Sequence, residues 1–392
     1  MTNSPVSHRV DRVEPQRIRH LFDLANEHDA DDLVHLELGE PDFPTPEHVV
    51  EAAVTAAHGG ATDYTPNAGI DPLRRAVADR LRSHGVDADP ERVVVTTGGV
   101  EALYLTLLTV TDPGDEVVVP TPAWPNPLSQ TCLAGANPVE VPLSPADGFA
   151  FDADRIIDAI SDRTGAVVLT SPSNPTGRVF DVSSMERVVE AAVCHGAYVI
   201  ADEVYHELTY DRPQPRLAAV TDRPERVVTV DSCSKTYAMT GWRVGWLSGP
   251  EPVTAAVTKI HESTTSCVNT PAQHAAVAAL TGPDAPVREM KAAFERRRDR
   301  VVARLDEIPG VSAAYPEGAF YAFVDVSDLP GSSMEVAERL LFEYDVVAAP
   351  GSAFGRAGEG HLRFSFANDL ERVETGLDRF DRMVRTESHG AE

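Results

Sequence analysis

The chain has 392 residues, of which 42% are hydrophobic and 24% charged, and its formal net charge at pH 7 is −27. This length favours two domains, or one large and one small domain, over a single small core. An acidic surface repels nucleic-acid phosphates, and no segment approaches the roughly 18 to 20 apolar residues that span a bilayer, so we expect neither a nucleic-acid nor a membrane partner.

Over the first 280 residues, short β-branched runs alternate with segments of helix-like spacing. The predicted strands are residues 92–97, 116–120, 166–170, 198–202, 226–230 and 243–249, and the predicted helices include 100–110 and 183–195. Continuous apolar runs are typical of strands buried on both faces. The alternation therefore predicts an α/β fold whose mostly parallel central sheet is flanked by helices.

Beyond residue 280 the pattern changes to a long charged helix, 287–308, followed by strands at 318–326, 345–350 and 361–367. These elements predict a smaller α+β domain. We expect residues 1–45 to form an N-terminal arm and part of the small domain, residues 46–280 the large domain, and residues 281–392 the C-terminal small domain.

Polar or aromatic groups follow five of the predicted strands. In chain order they are Gly98-Gly99, Trp124 between prolines, Asn174-Pro-Thr-Gly, Asp202 with Tyr205, and Lys235. Ligands bind at the carboxyl ends of strands in open α/β sheets. The five strand ends therefore predict one composite site.

Each of these residues is also compatible with a purely structural role. Gly98-Gly99 suits a tight turn, Trp124 suits ordinary packing, and Asp202 suits a structural ion pair. Lys235 is conspicuous because only two other lysines, Lys259 and Lys291, occur in the chain.

The four cysteines, Cys132, Cys194, Cys233 and Cys267, form no CxxC pair. We therefore expect no metal site and no disulfide framework, and we do not favour Cys233 as a catalytic thiol. A polar N-terminal stretch and reduced thiols favour a cytoplasmic protein. The acidic, lysine-poor composition is typical of halophilic proteins, in which salt screens repulsion between like charges.

From about residue 20 to 385, the chain resembles the class I aminotransferases, which are fold-type I enzymes dependent on pyridoxal 5′-phosphate. The marks are Asn174-Pro-Thr-Gly, Asp202-x-x-Tyr205, and Ser232-x-Ser234-Lys235 with Arg243; residues 38–46, 64–74 and 362–367 agree in order and spacing. The chain looks most like the prokaryotic and archaeal branch that contains aspartate aminotransferases.

The resemblance implies catalytic roles for residues around the cofactor ring. Lys235 would form the Schiff base and shuttle the proton, and Asp202 would keep the pyridine nitrogen protonated. Tyr205 and Asn174 would hydrogen-bond the phenolic oxygen, and Trp124 would stack on the ring.

The resemblance also implies a phosphate cradle formed by the backbone of Gly99 and Val100 together with Ser232 and Arg243. Tyr64 would reach this phosphate from the neighbouring subunit, which implies a homodimer with shared active sites.

Arg363 would clamp the substrate α-carboxylate, with the Gly39 backbone in contact and Trp124 and Asn174 nearby. The implied reaction is a ping-pong transfer between an amino acid and a 2-oxo acid, with 2-oxoglutarate as the expected acceptor. Closure of the small domain over the substrate is expected.

The sequence does not decide which amino acid is the amino donor. Members of the branch often read GGKQAL at the phosphate helix, where the lysine recognises an acidic side chain, whereas this chain has Val100 and Glu101. Aspartate, alanine and aromatic donors all remain candidates. Tyr321 and residues 263–271 are expected near the entrance of the site, without an assigned role.

Two other functions are compatible with parts of the pattern. A lyase or decarboxylase would use the same Lys235, Asp202 and Arg363. A regulator with an aminotransferase-like sensing domain would need an additional DNA-binding module, for which we expect no room before residue 20, and the net charge opposes it.

Overall fold

A computed structural model of the chain describes residues 7–28, 30 and 32–389. The described residues form fifteen α-helices and thirteen strands arranged in three sheets. The strands are β1 (Val34–His35), β2 (Val93–Thr96), β3 (Glu116–Thr121), β4 (Asn137–Pro142), β5 (Thr164–Thr170), β6 (Tyr198–Asp202), β7 (Val227–Ser232), β8 (Gly245–Ser248), β9 (Ser312–Ala313), β10 (Tyr321–Asp325), β11 (Val346–Val347), β12 (Ala349–Pro350) and β13 (His361–Ser365).

The helices are α1 (His8–Asp11), α2 (Arg17–Glu27), α3 (Glu47–His58), α4 (Asp71–Ser83), α5 (Gly99–Val110), α6 (Asn126–Ala134), α7 (Ala153–Asp158), α8 (Val182–Cys194), α9 (Leu217–Val220), α10 (Cys233–Thr236), α11 (Glu251–Thr264), α12 (Thr270–Thr281), α13 (Ala285–Asp306), α14 (Ser333–Tyr344) and α15 (Leu370–His389). None of these helices has the length and apolar character needed to cross a membrane.

The large sheet has seven strands in the order β2-β8-β7-β6-β5-β3-β4, and all neighbours are parallel except those of β8. Successive residues of a strand face opposite sides of the sheet. Along β5, Val167 and Leu169 pack into one apolar core, whereas Ala166 and Val168 pack into another. The sheet is thus buried on both faces, which confirms the predicted mostly parallel, helix-flanked architecture.

Two details of the large sheet differ from the sequence-based expectation. The run 243–249 is a strand only over β8, which lies antiparallel to both β2 and β7. Strand β4 was not predicted, because Pro138 and Pro142 interrupt its apolar pattern. Among the described strands it pairs only with β3, and such an edge position tolerates prolines because a missing N–H leaves no ladder bond unmade there.

The C-terminal region contains a four-stranded antiparallel sheet in the order β12-β13-β10-β9. The predicted strand 345–350 is divided in two: β11 pairs in parallel with β1, whereas β12 pairs with β13. A single apolar core joins Leu21, Val34 and Leu36 to residues such as Phe320 and Leu377. The N-terminal segment therefore packs with the C-terminal elements; the exact domain boundaries stay a prediction, and residues 1–6, 29, 31 and 390–392 lie outside the described part of the chain.

Candidate active site

A cavity of about 730 Å³ lies at the carboxyl ends of the strands of the large sheet. This volume is typical of small-molecule sites. Every predicted site residue except Tyr64 lines it, namely Gly39, Gly99, Val100, Trp124, Asn174, Asp202, Tyr205, Ser232, Lys235, Arg243 and Arg363. The structure therefore brings the predicted strand-end residues together in one place.

Lys235 lies on α10, directly after β7, and its ammonium donates a hydrogen bond to the carbonyl oxygen of Gly39. Burial lowers the pKa of Lys235 from 10.5 to about 8, with Glu40 opposing the shift and Arg363 adding to it. Taking an ammonium out of water disfavours its charged form. The amine is thus partly neutral near physiological pH, as a nucleophile or proton carrier must be.

Asp202 is the last residue of β6, and only 4% of its surface is exposed. Oxygen Oδ2 accepts a hydrogen bond from Thr170 at 3.5 Å, whereas the buried Oδ1 has no partner among the described residues. Burial raises the pKa of Asp202 from 3.8 to about 7; the backbone N–H of Val204 opposes the shift, and repulsion from Asp231 adds to it. A buried carboxylate oxygen without a partner is costly and suits a cationic N–H donor.

Tyr205 and Tyr321 form one wall of the cavity. Their hydroxyl groups are 2.8 Å apart, and their rings pack edge to face with centroids separated by 5.8 Å. Burial raises the pKa of the Tyr205 hydroxyl well above its usual value. Tyr321 was expected at the entrance, but the structure places it in the buried wall, where β10 pairs with β13.

Arg363 is held in the middle of the small sheet, since β13 lies between β10 and β12. Its Nη1 donates a hydrogen bond to the side-chain oxygen of Asn174 at 3.0 Å, and its Nη2 donates one to the backbone carbonyl of Glu37. Its guanidinium also lies 4.4 Å from the centroid of the Tyr321 ring. Burial lowers the pKa of Arg363. Among the described residues its buried Nε has no hydrogen-bond partner, so the guanidinium of this cavity-lining arginine keeps an unused N–H donor.

Gly98, Gly99 and Arg243 form a concave cradle where β2 gives way to α5. Gly98 has a φ of 81°, and a Cβ there would lie 2.5 Å from Nη2 of Arg243. Arg243 itself has left-handed backbone angles and donates to the carbonyl oxygens of Thr240 and Thr97. A helix N-terminus facing a guanidinium favours an anion.

A buried ion-pair cluster lies beneath this site. Arg216 contacts Glu203 at 2.8 Å and Asp231 at 2.7 Å, and all three side chains are buried. Glu203 follows Asp202 directly, and Asp231 precedes Ser232. The cluster therefore fixes the ends of β6 and β7 from which the site residues project.

Val100 and Glu101 point to different environments. Val100 lines the cavity, whereas Glu101 accepts hydrogen bonds from the Thr265 hydroxyl and the Thr97 amide and lies 3.4 Å from His261. Burial alone would raise the pKa of Glu101, but the hydrogen bonds outweigh it and bring the pKa down to about 2. Glu101 is therefore a structural carboxylate outside the cavity lining.

Tyr64 does not line the cavity. It is 91% exposed and lies beside residues 267–271, at a separate depression. Its predicted role depends on a neighbouring subunit and stays a prediction.

Sequence reasoning missed the contribution of the N-terminal region. Gln16, Ile18, Arg19 and Phe22, at the start of α2, line the cavity together with Glu37 and Glu40. These residues follow no predicted strand of the large sheet, so the pattern of strand ends does not reveal them. The one available signal is the amphipathic pattern of α2, which buries Leu21 and Ala25 and leaves another face uncovered.

Comparison with known proteins agrees with the site. The model of the family described as aminotransferase class I and II matches residues 31–380. The chain is 38% identical over 385 residues to aromatic-amino-acid aminotransferase 2 of Thermococcus litoralis, covering 97% of this chain and 98% of the relative. It is likewise 40% identical over 357 residues to the aspartate/prephenate aminotransferase of Thermus thermophilus, covering 90% and 91% of the two chains.

Among solved structures, the aspartate aminotransferase of Thermus thermophilus with maleate superposes with a TM-score of 0.91 at 39% identity, covering 97% of this chain and 99% of that one. A Pyrococcus structure described as protein-A1 superposes with a TM-score of 0.94 at 37% identity, covering 97% and 98%.

Proposed function

Since the chain belongs to the class I and II aminotransferases, a family of pyridoxal phosphate-dependent enzymes, we propose that it moves the amino group of an L-amino acid to 2-oxoglutarate by a ping-pong mechanism. The observation that carries this proposal is the meeting of Lys235, Asp202 and Arg363 in one cavity. Lys235 has a partly neutral amine, and among the described residues Oδ1 of Asp202 and Nε of Arg363 have no hydrogen-bond partner.

The cavity fits pyridoxal phosphate on the chemistry of its donors. The unpartnered Oδ1 of Asp202 suits a protonated ring nitrogen, and the cradle of Gly98, Gly99 and Arg243 suits a phosphate dianion. Gly99, Val100, Ser232 and Arg243 would hold the phosphate, and Trp124 would lie against the ring.

The bound cofactor supplies an electron sink that stabilises negative charge at the substrate α-carbon. Lys235 would attach the cofactor and carry the α-proton, because its lowered pKa leaves a neutral amine available. The ionised carboxylate of Asp202 would keep a proton on the ring nitrogen. Tyr205 and Asn174 would hydrogen-bond the ring oxygen, and the Tyr321 hydroxyl lies 2.8 Å from that of Tyr205, which it would hold in place.

Arg363 binds the substrate α-carboxylate. Its planar guanidinium can make two parallel hydrogen bonds to a carboxylate, and its position on a central strand fixes the direction of those bonds. The Gly39 backbone lines this end of the site, where its carbonyl accepts a hydrogen bond from Lys235.

The names of the relatives and the residue at position 100 both bear on which amino acid serves as the amino donor. Relatives are named for aspartate, prephenate and aromatic amino acids, so acidic and aromatic donors are both candidates for this chain. Val100 offers no charge to an acidic side chain. Any acidic donor must therefore be recognised by a cation elsewhere in the cavity.

The proposal includes a homodimer in which Tyr64 reaches the phosphate of the neighbouring subunit, which is supported by the exposure of Tyr64 outside its own cavity. It also includes a cytoplasmic, halophilic protein, supported by the net charge of −27 and the three lysines. The domain division at residues 45 and 280 agrees with the separate sheets on either side of it.

The test is a panel of amino donors with 2-oxoglutarate, run at high and low salt with wild type, Lys235→Ala and Lys259→Ala. We expect turnover in wild type and in Lys259→Ala, which changes an exposed lysine on α11, and none in Lys235→Ala. Turnover at the wild-type rate in Lys235→Ala would refute the assignment. Absence of cofactor absorbance after reconstitution of the wild type would refute the function.

A further inference from the structure

The cavity contains four basic residues: Arg19, Lys235, Arg243 and Arg363. Under the proposed function, three of them are committed, Lys235 to the cofactor, Arg243 to its phosphate and Arg363 to the α-carboxylate. A dicarboxylic substrate carries a second, distal carboxylate that also needs a partner when it leaves water. Arg19 is the one cation among the described cavity residues that remains for it.

The local structure of α2 suits this task. Leu21 and Ala25 bury one face of the helix in the apolar core, so the helix is anchored, while Ile18, Arg19 and Phe22 line the cavity. Residues three and four positions apart lie on the same helix face. The guanidinium of Arg19 is 4.9 Å from the centroid of the Phe22 ring, so a cation and an aromatic surface are adjacent.

Arg19 is also available for a ligand. Its side chain is 70% exposed, and its charged partner is Asp23, at 3.3 Å on the same helix. An exposed pair of this kind contributes little stability, so a substrate carboxylate can compete for the guanidinium. Because the protein carries a net charge of −27, a dicarboxylate needs a local cation to offset the surrounding repulsion.

We propose that Arg19, with Ile18 and Phe22 beside it, forms the side-chain subsite of the enzyme: Arg19 binds the distal carboxylate of acidic amino acids and of 2-oxoglutarate, and Phe22 with Ile18 contacts apolar or aromatic side chains. This inference rests on the proposed function. It explains how a chain with Val100 at the phosphate helix accepts a dicarboxylate, and how one subsite serves both acidic and apolar substrates.

The experiment compares substrates that differ by a distal carboxylate, aspartate with alanine and 2-oxoglutarate with pyruvate, at one fixed salt concentration. The variants are Arg19→Met, Arg19→Lys and, as a matched control, Arg17→Met, which changes an exposed arginine of the same helix outside the cavity lining. Loss of one charge-assisted hydrogen bond predicts that Arg19→Met lowers kcat/KM about ten- to hundredfold for aspartate and 2-oxoglutarate. For alanine and pyruvate the change should stay below about threefold.

Arg19→Lys should restore part of the loss, since it keeps the charge, and Arg17→Met should match wild type. Phe22→Ala should lower kcat/KM for phenylalanine while sparing aspartate. An Arg19→Met variant that changes both members of each substrate pair equally, or neither, would overturn the inference.

Binding of succinate to the holoenzyme, followed through cofactor absorbance, separates this inference from the proposed function because it needs no turnover. Weaker succinate binding in Arg19→Met supports the subsite even for an enzyme that transfers no amino group. Unchanged succinate affinity in a wild type that does transfer amino groups would reject the subsite and leave the proposed function standing.

Discussion

Replacing Asp202 with asparagine is expected to stabilise the cofactor-free protein at neutral and alkaline pH. Burial raises the pKa of Asp202 from 3.8 to about 7, and the neighbouring Asp231 and Glu203 add repulsion. Its Oδ1 lacks a partner among the described residues. Without cofactor, the folded protein therefore holds an ionised carboxylate in an unfavourable place once the pH exceeds about 7.

The sign and size of this expected change in stability follow from proton linkage. The unfolded chain ionises this carboxyl near pH 3.8, whereas the folded protein keeps it protonated up to about pH 7. The folded state binds more protons within this window, so stability falls as the pH rises from 4 to 7 and then levels off. At 1.36 kcal/mol for each pH unit of that window, the penalty reaches roughly 4 kcal/mol above pH 7, and asparagine avoids it.

The assay is urea unfolding of cofactor-free wild type and Asp202→Asn from pH 5 to 9 at one salt concentration. The variant's advantage should grow towards pH 8 and then stay constant, whereas Asp158→Asn, which removes a charge from an exposed position on α7, should show no such trend. Pyridoxal phosphate should reverse the order, because the ionised Asp202 then gains a cationic partner. Parallel pH profiles for wild type and Asp202→Asn would refute the reasoning.

Three further outcomes are expected. Arg216→Met should lower the free energy of unfolding by about 3–5 kcal/mol, because it leaves Glu203 and Asp231 buried without a cation. As a control, Arg187→Met removes an exposed pair with Asp154 and should lower it by at most about 1 kcal/mol. Equal effects of the two variants in urea unfolding would contradict the buried cluster. The rate of cofactor attachment should rise with pH through a midpoint near pH 8, where half of Lys235 is neutral, and level off about one pH unit higher. A rate still rising at pH 10 would contradict the lowered pKa of Lys235. Arg363→Lys should lower kcat/KM about ten- to hundredfold for acidic and neutral donors alike, because the α-carboxylate that all donors share loses a bidentate partner. An effect confined to acidic donors would contradict the proposed binding of the α-carboxylate by Arg363.

The sequence predicted the large sheet because strands buried on both faces appear as continuous apolar runs. It predicted the composite site because the carboxyl ends of parallel strands meet at one edge. Gly99, Asp202 and Lys235 thus lie together although they are far apart along the chain. Their chemical roles came from the family resemblance rather than from the pattern.

Other features were out of reach because they depend on tertiary contacts. The apolar pattern of β8 is the same in either direction, so its antiparallel orientation could not be predicted. Strand β4 lacks a clear apolar pattern because it lies at an edge, where prolines are tolerated. The placement of Arg19 at the cavity depends on the docking of α2 through Leu21 and Ala25, which contact residues far away in sequence.

The central claim, amino-group transfer at the Lys235 site, is tested most directly by a single turnover of the holoenzyme with an amino donor and no acceptor. We expect about one equivalent of pyridoxamine phosphate and one of the 2-oxo acid per chain, with neither formed by Lys235→Ala. Recovery of the aldehyde form of the cofactor together with a decarboxylated or cleaved product would contradict it, and would identify the chain as a lyase or decarboxylase.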